Sequence, residues 1–85
     1  MLIRTSSRFR KSYKKLPKNI KDKVTKKERI FRTNPFDARL DTHKLHGKYK
    51  EYWAFTIANQ YRIIFAFIES DIIDFIDIGT HQIYR

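Results

Sequence analysis

Apolar positions along the chain follow two different periods. Phe9, Tyr13 and Leu16 recur at i, i+4 and i+7, which places them on one face of a helix with Lys and Arg around the rest. Ser6 or Ser7 is placed to cap that helix by accepting a backbone N–H bond. Pro17 interrupts it and suits the first turn of a second helix, where its missing N–H costs nothing. The second helix is expected over about 18–32, with Ile20, Val24 and Phe31 in line and Ile30 to one side. Asn34-Pro35 ends it, because the residue before proline is pushed out of the helical region. Residues 2–5 read as a short edge strand, and 34–50 as a connection with one helical turn near 36–40.

Beyond residue 50 the period changes to two. Tyr52–Ile57 alternates, with Trp53, Phe55 and Ile57 on one core-facing side. Ala58-Asn59-Gln60 connects it to Tyr61–Ile68, whose apolar run suits a central strand covered on both faces. Glu69-Ser70-Asp71 turns the chain into Ile72–Ile78, which Gly79 closes. The expected layout is a strand, a helical hairpin and a three-stranded antiparallel meander, an α+β fold in a single domain over residues 1–85. The longest apolar run, Ile63–Ile68, is of strand length and too short to cross a bilayer, so no membrane partner is expected.

Charge sharpens this picture. The chain carries +10, and its distribution is uneven. Residues 1–33 hold 13 Lys/Arg against 2 acids, a net of +11, while residues 34–85 hold 6 against 7, a net of −1. A helical surface bearing Arg8, Lys11, Lys15, Lys18 and Lys26 attracts polyanions and releases their counterions. The absence of cysteine excludes disulfides, a thiolate nucleophile and Cys-based zinc sites, and it is compatible with a cytoplasmic location. Asp71, Asp74 and Asp77 alternate faces of their strand, which excludes a paired-carboxylate active site among them.

One residue breaks the apolar pattern. Arg62 stands in the most hydrophobic strand, sharing a face with Ile64, Ala66 and Ile68. A guanidinium there requires either a carboxylate partner, with Asp74 and Asp77 on the next strand as candidates, or an open groove in which its planar fork binds phosphate.

These residues, in this order, resemble the RelE/ParE superfamily of small toxins from type II toxin–antitoxin pairs. The resemblance spans essentially the whole chain. It rests on Leu45-x-Gly47 before an aromatic-rich strand, on Tyr61-Arg62-Ile63-Ile64-Phe65, and on Gly79-Thr80-His81 followed by Tyr84. It is closest to the RelE/YafQ-like mRNA interferases. The resemblance implies a ribosome-dependent, metal-independent endoribonuclease that needs no cofactor. It also implies mRNA and ribosomal RNA as partners and a small acidic antitoxin as inhibitor. It makes Arg62 the arginine on the scissile phosphate, His81 the histidine near the end of the last strand, Tyr84 the C-terminal aromatic and His43 the histidine ahead of Leu-x-Gly. The second-strand lysines of RelE and the second-strand histidine of the YafQ-like branch have no counterpart, since Trp53, Phe55 and Thr56 occupy that region.

Metal-free RNA cleavage needs a base at the 2′-OH, an acid at the 5′-oxygen and cations on the phosphoryl oxygens. His81 suits the acid, since an ordinary histidine titrates near 6.5. His43 or His46 suits the base, Arg62 the phosphorane charge and Tyr84 stacking or a phosphate bond, with Lys48 and Lys50 adding phosphate contacts. A metal triad of the three histidines lacks carboxylates at ligand spacing. Two other functions stay open at this level: a ParE-like gyrase inhibitor without RNase activity, and a non-catalytic nucleic-acid-binding relative. The charge partition places the basic docking surface on the helices, apart from a near-neutral catalytic sheet.

Overall fold

A computed structural model describes residues 1–84. The order is β1 (Leu2–Thr5), α1 (Ser7–Lys14), α2 (Lys18–Thr33), a 3-10 turn (Ala38–Leu40), β2 (His43–Lys44), a second 3-10 turn (Gly47–Tyr49), β3 (Trp53–Ala58), β4 (Tyr61–Glu69), β5 (Ile72–Gly79) and a final 3-10 turn (His81–Tyr84). The expected strand, helical hairpin and meander are present. The sheet, however, has five strands in the order β1-β5-β4-β3-β2. It is mixed, because β1 runs parallel to β5 while the other pairs are antiparallel. The added strand is β2, two residues whose own sequence has no period and whose pairing to Ala54 and Trp53 alone defines it.

Helix α1 stops at Lys14, earlier than the apolar spacing implies. Leu16 lies beyond it yet still packs on the core. Ser6 is the cap: its hydroxyl accepts from Phe9 N at 2.9 Å and donates to Ile76 O at 2.6 Å. One side chain thus starts α1 and ties it to β5 just past the point where β1 ends. Pro17 caps α2 rather than entering it, and Asn34 ends α2 in an extended conformation at φ −157°.

The core lies between the helices and one sheet face. Phe31 is fully buried and meets Phe55, Phe65 and Phe75, one ring from each of three strands, at 4.8, 5.0 and 5.6 Å between centroids. Phe9, Ile20, Val24 and Leu40 complete it. The expectation of two-sided burial holds for β4 only over Ile63–Ala66, because Phe67 and Ile68 are exposed where the helices no longer reach. Trp53 is likewise only partly buried, and packs with Phe36 and Phe67 at that open end. No helix is long and apolar enough to cross a membrane.

Both carboxylates proposed for Arg62 are taken by other arginines. Asp74 binds Arg4, with contacts of 2.7 and 3.1 Å. Asp77 is buried and lies 2.9 Å from Arg8 Nε. A bulge at Ile76 between the pairs Phe65–Phe75 and Ile64–Asp77 turns Asp77 onto the sheet face opposite the Phe cluster.

Replacing Phe31 by Ala removes the ring that all three strands share. The expected loss is about 3–5 kcal/mol of unfolding free energy, measurable by denaturant titration.

Candidate active site

The far face of the sheet carries a cavity of about 690 Å³ at the C-terminal end of β5. His43, His46, Lys48, Arg62, His81 and Tyr84 line it, together with Lys44, Leu45 and Tyr49. All five candidate catalytic side chains therefore meet in one place, although 38 residues separate His43 from His81 along the chain.

Register explains the convergence. Arg62 on β4 pairs with Thr56 on β3 and Gly79 on β5, so two small residues flank it and leave room for the guanidinium. It donates to Gln60 O at 3.1 Å. Among the described residues it has no carboxylate partner, so the ion-pair alternative is excluded and the guanidinium faces the cavity. β2 pairs His43 with Ala54, two residues before Thr56 on the same face, and so carries a histidine to the rim two strands away from Arg62.

Each rim segment has a local cause. Asp41 takes a left-handed conformation at φ 50°, and its carbonyl lies 3.0 Å from His43 Nδ1. A carbonyl only accepts, so this contact places a hydrogen on Nδ1, and in the neutral tautomer Nε2 is then the acceptor. Upstream, Asp37 caps the 3-10 turn through Arg39 N and grips the Arg39 guanidinium. Those hydrogen bonds, from the side chain first and then the backbone of Arg39, lower its carboxyl pKa to about 2. Gly47 sits at φ +66°, a region that suits glycine, and opens the turn carrying Lys48 and Tyr49. That is the physical content of the Leu45-x-Gly47 motif. Gly79 lets Ile83 fold back over the strand end, which sets the turn bearing His81 and Tyr84. A Cβ at position 79 would lie 2.5 Å from Ile83 Cγ2.

Tyr84 stands with its ring 6.0 Å from Tyr49. Burial raises its pKa, and the positive charge of Arg62 partly opposes the rise. It is therefore a neutral hydroxyl at neutral pH, able to donate beside a guanidinium.

His81 lies in a 3-10 turn rather than in the last strand, because β5 ends at Gly79. Lys50 is exposed on the same turn as Lys48 but does not line the cavity. Lys11, Lys18 and Lys26 are exposed on the helices and Lys15 at the C-cap of α1, none of them lining it. Arg8 lines a neighbouring cavity. Sequence reasoning missed Lys44, Leu45 and Tyr49, which no period marks; only their proximity to Gly47 offered a signal. The cavity is also not near-neutral. Lys44, Lys48 and Arg62 line it and no acid does, because Asp37, Asp74 and Asp77 are paired elsewhere. Among the described residues no cluster suits a metal ion.

This arrangement of strand, helical hairpin and sheet is the fold of the RelE-type toxins. The structure of YafQ from E. coli strain BL21(DE3) superposes with a TM-score of 0.80 at 21% identity, covering 96% of this chain and 94% of that one. A YoeB/ParE toxin from Agrobacterium tumefaciens gives 0.80 at 18% identity, over 95% and 99%. The RelB–RelE antitoxin–toxin complex from Methanococcus jannaschii gives 0.73 at 24% identity, over 95% and 94%. No curated protein matches the chain. The family model described as "Bacterial toxin of type II toxin-antitoxin system, YafQ" matches residues 1–84. The chain belongs to that family: it is a YafQ-like toxin of the RelE superfamily.

Two outcomes test how the rim is built. Gly79→Ala must displace Ile83 and with it His81 and Tyr84. The expected stability loss is about 1–3 kcal/mol by thermal denaturation, and adding Ile83→Ala should recover part of it, since the two changes share one contact. Asp37, with its pKa held below the unfolded value, contributes stability that is full above about pH 4. That contribution falls away as pH drops towards 2. An NMR titration of its carboxyl carbon should give a midpoint near 2, and Arg39→Ala should raise it only part of the way to the ordinary range, because the backbone N–H of residue 39 still donates.

Proposed function

We propose that this toxin is a metal-independent endoribonuclease that cuts mRNA on the ribosome and so inhibits translation. The observation that carries this reading is the meeting of three histidines, an unpaired arginine and a neutral tyrosine in one cavity free of acids. Those are the groups that transesterification of RNA requires.

RNA supplies its own nucleophile. The 2′-oxygen attacks the adjacent phosphorus while the bond to the 5′-oxygen breaks, leaving a 2′,3′-cyclic phosphate and a free 5′-OH. His43, in its neutral form, takes the 2′-OH proton at Nε2, since the Asp41 contact holds the ring's hydrogen on Nδ1. His81, from the opposite rim, gives a proton to the departing 5′-oxygen. Arg62 and Lys48 hold the non-bridging oxygens, where charge builds in the transition state. Tyr84 donates to a phosphoryl oxygen or stacks on a base. His46, two turn residues from Lys48, adds a second imidazole near the base. The exposed lysines of α1 and α2 dock on ribosomal RNA phosphates, and a small acidic antitoxin covers the cationic cavity.

Expression of the wild type should arrest growth and produce new mRNA 5′ ends carrying hydroxyls. His81→Ala and Arg62→Ala should each lower cleavage by about 10²–10³-fold with the fold intact by circular dichroism. His43→Ala should match them, and His46→Ala should cost less. Mapping mRNA 5′ ends after induction reads all four. Full cleavage by both His81→Ala and Arg62→Ala would reject the assignment. Blocked supercoiling with intact mRNA would indicate a gyrase inhibitor instead.

A further inference from the structure

A second cavity, of about 320 Å³, adjoins the first and shares Lys48 and Tyr49 with it. Its walls are the Tyr49 and Tyr52 rings, 6.4 Å apart and tilted by 42°. Ile64, Ile76 and Ile83 add apolar surface. Its polar end is the ion pair of Arg8, from the first turn of α1, with Asp77, and Lys48 adds a second cation.

Arg8 differs from the other basic residues of the helices. Its Nε lies 2.9 Å from Asp77 Oδ2, and the two side chains are 58% and 5% exposed. The buried carboxylate is itself immobilised: Oδ1 accepts from Ser12 Oγ at 2.6 Å and from Ile78 N at 2.8 Å. The ion pair thus holds the Nε edge of the guanidinium against a fixed carboxylate, and among the described residues no hydrogen bond occupies either Nη. A planar fork held at one edge presents its remaining donors in a set direction, which suits a phosphate. A freely rotating surface lysine does neither.

We propose that this cavity is a second nucleotide subsite. The base next to the scissile linkage lodges against Tyr49 and Tyr52, and Arg8 binds the phosphate on its far side. The proposal rests on the ribonuclease reading, since it takes the first cavity to hold the scissile phosphate. Three features favour RNA over an acidic protein segment: the aromatic walls, the shared Lys48, and continuity with the cavity that holds Arg62. Stacking on two tyrosines tolerates every base, so this subsite adds affinity and alignment without dictating sequence. Asp77 is a positioning residue here; it acts through Arg8.

The test uses purified full-length protein and uncleavable 2′-O-methyl RNA, so that it does not depend on turnover. Binding of a dinucleotide with one phosphodiester is compared with trinucleotides extended by one nucleotide at either end, by NMR titration over a salt series. One extension should bind more tightly than the dinucleotide. Arg8→Lys keeps a cation for Asp77 but loses the fork. It should weaken that trinucleotide about tenfold, lower its salt slope by about 1 and leave the dinucleotide within about twofold. Tyr52→Leu, which lines the second cavity alone, should also weaken only that trinucleotide, by about tenfold, with no change in salt slope. Tyr52→Leu carries the test if Arg8→Lys fails to fold. Equal losses for both lengths, or none for either, would overturn the subsite while leaving the RNA reading standing. A loss restricted to one added base would overturn the phosphate role of Arg8. If the wild type binds neither length, the subsite is overturned as a site of the free protein, while the ribosome-dependent ribonuclease reading stands or falls on the mRNA 5′ ends.

Discussion

Phe31 touches one phenylalanine from each of β3, β4 and β5, and the remaining geometry depends on that contact. A single ring from α2 holds three strands side by side at fixed height. With the strands so held, Thr56, Arg62 and Gly79 fall into one row on the opposite face. The ring stacking lies on one face of the sheet and the chemistry on the other. Side-chain alternation along each strand couples them: any slip of register by one residue would bury Arg62 and expose Phe65.

The far face is kept open by what is missing from it. Thr56 and Gly79, which flank Arg62, are small, and no residue of α1 or α2 lines the cavity. The 3-10 turns at 47–49 and 81–84 supply the rim instead, each made possible by a glycine used in a different way. Gly47 provides a left-handed backbone, while Gly79 provides the absence of a Cβ beneath Ile83. The acids are kept away from the rim by pairing: Asp74 and Asp77 face arginines of the N-terminal elements. The basic excess of the first third of the chain therefore does two things. Part of it neutralises β5, and that leaves Arg62, Lys44 and Lys48 uncompensated around the cavity.

Much of the fold was legible in the order of the residues. The helical periods of Phe9–Tyr13 and of Ile20–Val24–Phe31, the alternation after residue 52 and the anomaly of Arg62 each reflect a local rule, so they can be read without neighbours. The failures share a cause. Strand β2 has only two residues and exists because β3 is beside it. Leu16 packs on the core without being helical, since α1 ends where Pro17 forces it to. The exposed end of β4 reads as buried because apolar content alone does not show where the helices run out.

For the site, the apolar pattern alone marked Arg62, while the family resemblance picked out the histidines and Tyr84, whose side chains have the chemistry that RNA cleavage uses. Which carboxylate Arg62 would meet, which histidine has a free acceptor nitrogen, and how Arg8 is aimed were decided elsewhere. Those depend on a bulge at Ile76, a left-handed Asp41 and the parallel seat of β1, all set by contacts across the sheet. A residue's chemistry is intrinsic to its side chain, whereas its partner is chosen by packing between segments far apart in the chain.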